Sequence, residues 1–433
     1  MSVHGVRDAS YLRALDEARF AYEKTSAYRA LIDDAGVDIE KIDEPARFRS
    51  LPLTDKHYYR ANYPAGVTTS ETPLSSTSHV LISHSSGTGG DRLTTGAYTY
   101  DLATRMASTT SVHPPFKKRL LGARSQRVAR YAAPNCSDVE CAVPQTTIES
   151  RTLRDGTLVL PVGHDLWATP DSMVDQAIEE IETYGADWFY TDATHFSFLL
   201  RQYQAREKPP PKASAVVLTY TLATQVARRQ IRAAMPADVP ISEVVSMSEL
   251  GWVAMECPQG RLHLNSRSFY VELLDPGTWE PVDRNEVGEL VVTSIKDRLL
   301  PHLRYRTGDL YRWMADCPCG HPFPTVRHEG RATHYLHTPS GRKISPKEVD
   351  DLVGPDEGVI VYRINQHASD RFRFRYVPDS AAPSRCGTQL CERVREALGP
   401  GAKLEAEPVD YIPSERTGKF LACVRSVRFP EEK

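Results

Sequence analysis

The chain has 433 residues, 40% hydrophobic and 25% charged, with a formal net charge of −3. That length exceeds what one core usually organises, so two domains are expected. The near-neutral balance gives no reason to expect nucleic acid or an acidic membrane as partner. The amino terminus, MSVHGVRDAS, lacks an apolar core, and no later run approaches the length of a membrane span, so a cytoplasmic protein is expected. Eight cysteines are too few for a secreted disulfide scaffold and read as reduced thiols or metal ligands.

In chain order, residues 8–34 read as helix, broken at Gly36, followed by a loop-rich link, LPLTDKHYYRANYP, over 51–64. The apolar run HVLIS over 79–83 reads as a strand entering Ser85-Ser86-Gly87-Thr88-Gly89-Gly90. Hydroxyls and glycines directly after a strand suit a loop whose backbone and side chains hold an anion. The next helix is expected at Thr99-Tyr100-Asp101. A Walker loop runs straight into its helix and carries Gly-Lys-Ser/Thr, and neither feature is present.

From about 157 onward strands and helices alternate. TLVLPV (157–162), ADWFYT (186–191), SAVVLT (214–219) and ISEVVS (241–246) read as strands. Between them, helices are expected from Thr169-Pro170 to a stop at Gly185, through Phe196, Leu199, Leu200 and Tyr203, and over 223–235. This alternation predicts a mainly parallel sheet covered by helices, with ligands beyond the carboxyl ends of its strands. After about 260 the chain turns β-rich, with SFYVELLD, GELVVTS and HLRYRTGDLYRW. A smaller α+β unit is expected from Arg331. In it Ser345-Pro346-Lys347-Glu348 is a capping box predicting a helix over 346–353, and EGVIVYRIN and DRFRFRYVP read as strands. The expected class is α/β: a large domain over 1–330 and a small α+β domain over 331–433.

Four separated pieces then combine: SSGTGG at Ser85, SMSELG at Ser246, RYRTGDL at Arg304 and ERTGKF at Glu415. In this order they resemble the adenylate-forming superfamily of acyl-CoA synthetases and adenylation domains. LPLTDK…R…YP, LPHLRYRTGDL and CPCG resemble its phenylacetate–coenzyme A ligase branch, and the resemblance runs from about residue 8 to 425. It implies that a carboxylic acid is activated with ATP and Mg2+ to an acyl-adenylate, which then passes to an acceptor, most often the thiol of coenzyme A. A carrier-protein thiol or an amine are the alternative acceptors, and homodimers would be compatible with it. The resemblance further implies that Ser85, Ser86, Gly87, Thr88, Gly89 and Gly90 wrap the β- and γ-phosphates, that Glu249 holds Mg2+ and that Asp309 accepts the ribose hydroxyls. Arg331 would sit at the junction with a mobile small domain. Lys419, flanked by Ile412 and Phe420, would bridge the α-phosphate and the reacting carboxylate, as a point charge where negative charge accumulates.

Cys257, His263, Cys317 and Cys319 supply three thiols and one imidazole, a set that suits tetrahedral Zn2+. Members of the resembled branch carry cysteine and histidine here too. Such a site would be structural, because four protein ligands leave no open position. Four unlinked reduced side chains are the alternative, and His321 is a substitute ligand. Cys136, Cys141, Cys386, Cys391 and Cys423 read as ordinary thiols.

The chain departs from the family pattern at several points. Gly89 and Asp91 stand where a threonine and a lysine are usual, with Arg92 able to compensate; Ala332, Thr333 and His334 occupy the hinge; Val245-Ser246 replaces tyrosine-glycine; and Tyr220-Thr221 replaces glycine-glutamate. The acyl-pocket segment reads NCSDVECAVPQTT over 135–147. Asp138 and Glu140 there predict an acid that carries an amine or hydroxyls, unless they face solvent. The altered loop and hinge also leave open a catalytically weakened relative that binds a nucleotide or acyl-adenylate.

Overall fold

The computed structural model describes residues 3–69, 79–84, 93–122, 126–136, 139–355, 358–379 and 386–427. These fall into two compact units: Met1–Lys117 with Val244–His328, and Lys118–Glu243 with Glu329–Lys433. The chain passes between them within helix Pro114–Gly122 and within strands Ile241–Met247 and Thr325–Arg331.

The first unit is built on β-strands. Phe269–Leu274, Val287–Ser294, Tyr305–Trp313, Thr325–Arg331, Leu262–Leu264 and Gly251–Glu256 lie in that order, followed by the second half of Ile241–Met247. Alternate residues such as Val253, Leu264, Phe269, Leu290 and Tyr305 point into a core that also takes Tyr11, Ala14, Tyr28 and Ile32 from the amino-terminal helices. The helix expected over 8–34 is two helices, Val3–Lys24 and Ser26–Asp34. Thr25 is extended, with φ −127 and ψ 132, and its hydroxyl donates to the Ala21 carbonyl at 2.8 Å. The break lets Tyr28 enter the core, where its hydroxyl and that of Tyr59 donate to the Pro301 carbonyl at 3.1 and 3.0 Å. Strand Val80–His84 is present as expected, and pairs antiparallel with Thr94–Tyr98. This second strand was not legible, because TTGAY has neither alternation nor length. Helix Thr99–Thr109 follows it.

The second unit contains the parallel sheet. Starting from the first half of Ile241–Met247, the strand order is Ala215–Leu218, Trp188–Thr191, Val128–Tyr131 and Leu158–Val159, all parallel. Ala129, Tyr131, Phe189, Val216 and Leu218 share a core with Val174, Ile178, Phe196, Leu199 and Ile231 from helices Asp171–Tyr184, Ala193–Ala205 and Gln225–Ala234. The first of these helices stops at Gly185, which is left-handed at φ 69. The strand expected over 157–162 pairs only at Leu158–Val159. Leu160 N still reaches the Arg130 carbonyl at 2.9 Å, and Pro161, with no N–H, ends the ladder.

Residues 329–427 add a four-stranded sheet ordered Lys403–Pro408, Arg371–Pro378, Val359–Ala368 and Cys423–Arg425. Helices Pro346–Val353 and Cys386–Leu398 belong to this part, and Val349, Tyr362, Phe374 and Val394 form its core with Val226. The capping box is made as expected: Ser345 Oγ accepts from Glu348 N at 2.9 Å while Ser345 N donates to Glu348 Oε2 at 2.8 Å. Gly330, at φ 98, packs so closely that an added Cβ would meet Pro346 Cγ at 2.6 Å. No helix among the described residues is long and apolar enough to cross a membrane.

Candidate active site and metal centre

Glu249 lies in the turn between strands Ile241–Met247 and Gly251–Glu256, closed by Leu250 N donating to the Met247 carbonyl at 3.2 Å. Its side chain is 4% exposed, and Oε1 lies 3.2 Å from Lys56 Nζ and accepts from Tyr305 OH at 3.0 Å. Burial alone would raise its pKa. The Lys56 ammonium, a backbone N–H and the Tyr305 hydroxyl outweigh that and hold the carboxyl below its usual range. Lys56 opens helix Lys56–Asn62, whose cap is Asp55 accepting from Tyr58 N at 2.9 Å. A cation in a first helical turn is disfavoured by the helix dipole, so Glu249 accounts for its placement. An ammonium already standing at this carboxylate fits Glu249 as a cation ligand.

Asp309 sits in strand Tyr305–Trp313 beside a bulge. Gly308 is left-handed at φ 75, its N–H donates to Glu289 Oε1 at 3.2 Å, and the register shifts between Glu289 and Val291. Asp309 N donates to Thr307 Oγ1 at 3.2 Å, so the Thr-Gly-Asp sequence works by displacing Asp309 from the regular ladder. Ser85, Ser86, Gly87, Thr88, Gly89, Gly90 and Asp138 lie outside the described residues.

In the second unit Lys419 follows a tight turn: Glu415 N donates to the Lys419 carbonyl at 2.8 Å and Gly418 N to the Glu415 carbonyl at 2.7 Å. Gly418, at φ 78, lies against the end of strand Val128–Tyr131; a Cβ there would meet Pro134 Cδ at 2.8 Å and the His164 carbonyl at 3.4 Å. Asp165 and Ser414 fasten the turn, through Ser414 N to Asp165 Oδ1 at 3.2 Å and Leu166 N to Ser414 Oγ at 3.1 Å. Arg363 supports it from beneath. Its Nη1 donates to the Pro413 carbonyl at 2.8 Å and pairs with Glu415 at 3.2 Å, its Nε donates to the Leu421 carbonyl at 2.7 Å, and its guanidinium lies 4.6 Å from the Phe420 ring centre. Ile412 and Phe420 are both buried. Half-buried Lys419 is thus held at the carboxyl end of a parallel strand, where ligands of such sheets bind. Arg331 ends strand Thr325–Arg331 and precedes the turn Ala332–His334. Glu140 is exposed and caps its own loop, accepting from Ala142 N at 2.7 Å.

The ligand atoms of Cys257, His263, Cys317 and Cys319 all lie within 4.8 Å of one another in the first unit. Cys257 Sγ and Cys317 Sγ are 3.6 Å apart, and Cys319 Sγ is 3.4 Å from His263 Nε2. Tetrahedral Zn–S and Zn–N bonds imply edges of about 3.8 and about 3.5 Å, so the donor set fits Zn2+. His263 Nδ1 lies 2.9 Å from the Phe323 carbonyl, which orients Nε2 toward the thiols in the manner of metal-bound histidines. His321 is not a substitute ligand: Nε2 meets Ser111 Oγ at 3.0 Å and Nδ1 accepts from Phe323 N at 3.3 Å. A cavity of about 390 Å3 beside this cluster is lined by Phe269, Trp313, Phe323 and Pro324, and by none of Glu249, Asp309, Arg331 and Lys419.

Lys56, Tyr305, Arg363, Asp165 and Ser414 were assigned no role from sequence. Lys56 and Tyr305 sat in plain view inside LPLTDK and RYRTGDL, but only the fold joins them to Glu249.

No family model matches the chain. It is 27% identical over 328 residues to a phenylacetate–coenzyme A ligase of Thermus thermophilus, covering 71% of this chain and 67% of that one. A crystal structure of 2-hydroxyisobutyryl-CoA ligase in the postadenylation state, in complex with 2-HIB-AMP, aligns with a TM-score of 0.70 at 20% identity, covering 95% of this chain and 88% of that one. The amide bond synthetase McbA from Marinactinospora thermotolerans aligns with a TM-score of 0.51 at 16% identity, covering 81% and 70%. The chain therefore carries the fold of the adenylate-forming superfamily and, in sequence, resembles its phenylacetate–coenzyme A ligase branch.

Proposed function

We propose that this protein is an AMP-forming acid–thiol ligase. An oxygen of the acid attacks the α-phosphorus of ATP, the bond to the bridging oxygen breaks, and pyrophosphate leaves an acyl-adenylate. A thiol then attacks the acyl carbon and AMP departs. Both steps crowd anions, so the protein's task is to hold charge in place rather than to supply a nucleophile. The observation that supports this reading is the docking of the Lys419 turn at the carboxyl end of strand Val128–Tyr131, from which its ammonium would reach the ligand edge of the sheet. Glu249 would hold Mg2+, whose chemistry there is to neutralise phosphate oxygens. Asp309 would take the ribose hydroxyls, the glycine-rich loop from Ser85 to Gly90 would take the terminal phosphates, and residues 331–433 would move as the small domain about Arg331. The four-ligand cluster would hold a structural Zn2+.

Coenzyme A is the acceptor favoured by the names of the sequence relatives, with a carrier-protein thiol or an amine as alternatives. The acid is aryl or amino- or hydroxy-substituted. A second reading, a weakened nucleotide-binding relative, draws on Gly89, Asp91 and the altered hinge. The test is pyrophosphate release from ATP across a panel of carboxylic acids. Acid-dependent release supports the ligase, whereas ATP binding with no release from any acid supports the weakened relative.

A further inference from the structure

The second unit holds a cluster that the adenylation residues do not use. Along strand Val128–Tyr131, Ala129 and Tyr131 enter the helix-covered core, so Arg130 points to the opposite face. Its register partner is Tyr190, and the guanidinium carbon lies 5.8 Å from the Tyr190 ring centre. Tyr220 completes the group, its ring 5.7 Å from Tyr190 and nearly perpendicular at 88°. Arg130 Nε and the Tyr220 hydroxyl are both buried and meet no hydrogen-bond partner among the described residues. Nor does any carboxylate there form an ion pair with Arg130.

The backbone holds Tyr220 in place against its preference. Thr221 N donates to the Thr219 carbonyl at 3.0 Å around Tyr220 at φ 75, a γ-turn of the rare, strained hand. Such strain persists where the surroundings over-determine it, and it concentrates at binding sites. Here Thr221 Oγ1 is bonded to Asp192, and Asp192 is itself fixed as the cap of helix Ala193–Ala205, accepting from Thr194 N at 2.9 Å and His195 N at 3.2 Å.

Both unsatisfied groups, Arg130 Nε and the Tyr220 hydroxyl, can donate, and one is a cation. Burying a guanidinium without a counter-charge is costly, and its fork matches a carboxylate in a bidentate way. An ammonium would be repelled. A guanidinium keeps its charge at any ordinary pH, and burial keeps the Tyr220 phenol protonated, hence able to donate. The cluster lies at the carboxyl ends of three adjacent parallel strands, Val128–Tyr131, Trp188–Thr191 and Ala215–Leu218, and the Lys419 turn packs on Ala133 and Pro134 just beyond the first of them.

We propose that Arg130 and Tyr220 bind a second carboxylate on the acid substrate, so that the enzyme takes a dicarboxylic acid, activating one carboxyl while holding the other. This rests on the adenylation reading and narrows it. The test is acid-dependent ATP–pyrophosphate exchange with succinate, phthalate and homophthalate against butyrate, benzoate and phenylacetate, in wild type, Arg130→Gln, Arg130→Lys and Tyr220→Phe. Wild type is expected to favour a diacid over its monoacid partner at least tenfold in kcat/KM. Arg130→Gln should remove that preference through KM, and Arg130→Lys should restore part of it. A monoacid used as well as any diacid, or a preference indifferent to Arg130→Gln, overturns the proposal while leaving adenylation standing. If no acid supports exchange, the adenylation reading fails, and calorimetric titration of the same diacids decides the anion site. Binding to wild type and not to Arg130→Gln supports it, and no binding to wild type overturns it.

Discussion

Lys56 Nζ stands 3.2 Å from Glu249 Oε1, at a carboxylate that is 4% exposed. The ammonium occupies the position beside this oxygen that a divalent cation would contest. Removing it leaves Glu249 buried with Tyr305 as its remaining side-chain partner, at a cost of about 1–3 kcal/mol. Lys56→Met should therefore melt at a lower temperature than wild type and recover more of the loss when Mg2+ is added. Melting curves with and without Mg2+ read this directly; equal stabilisation of both proteins by Mg2+ would contradict the substitution of one cation for the other.

The Cys257–His263–Cys317–Cys319 cluster predicts about one equivalent of zinc per chain. Cys257→Ser should bring the content below half an equivalent and lower the melting temperature, because Cys257 is buried and joins two segments of the first unit. Elemental analysis checks the metal and a thermal melt checks the coupling. Purified protein with no zinc, and no gain on adding it, would leave three reduced thiols and a free imidazole there.

His302 should give the protein an acid-sensitive component. It is buried, stacks on Tyr59 at 4.6 Å between ring centres, and burial pushes its pKa down to about 4. With an ordinary value near 6.5, the unfolded chain binds a proton that the folded chain refuses. The contribution is thus fully present above about pH 6.5 and is lost as pH falls through about 4, about 3 kcal/mol in all. Glu17 acts with the opposite sign: burial raises it to about 7, so its contribution is complete below its ordinary carboxylate range and is lost as pH rises through about 7. Denaturant unfolding between pH 4 and 8 should show a shallower acid limb in His302→Phe and a flatter neutral limb in Glu17→Gln. An acid limb unchanged in His302→Phe would mean that the imidazole is hydrated or charged in the fold.

What the sequence made legible was local chemistry. The capping box at Ser345, the stop at Gly185 and the alternation of the parallel sheet all follow from neighbours in the chain, and each is found. The break at Thr25 was hidden because the helical pattern continues through it; what turns the chain is the pull of Tyr28 toward Pro301, far away in sequence. The Cys and His set could be chosen by residue type, but the separation of Cys257 from Cys317 is a property of paired strands. Lys56 and Arg363 were invisible as site residues for the same reason: each acts on a turn that only tertiary packing brings to it. Glu140 shows the converse, a carboxylate whose sequence position suggested the pocket and whose side chain caps its own loop.

In the proposed reaction Lys419 serves the attack of a carboxylate on ATP. The most direct measurement is acid-dependent ATP–pyrophosphate exchange in wild type and Lys419→Ala, without an acceptor. Exchange with at least one acid, falling by about 100-fold or more in the variant while its melting temperature holds, is the predicted result, in keeping with loss of one preorganised charge. Exchange that survives in Lys419→Ala would contradict the role assigned to this lysine, and no exchange from wild type with any acid would contradict adenylation itself.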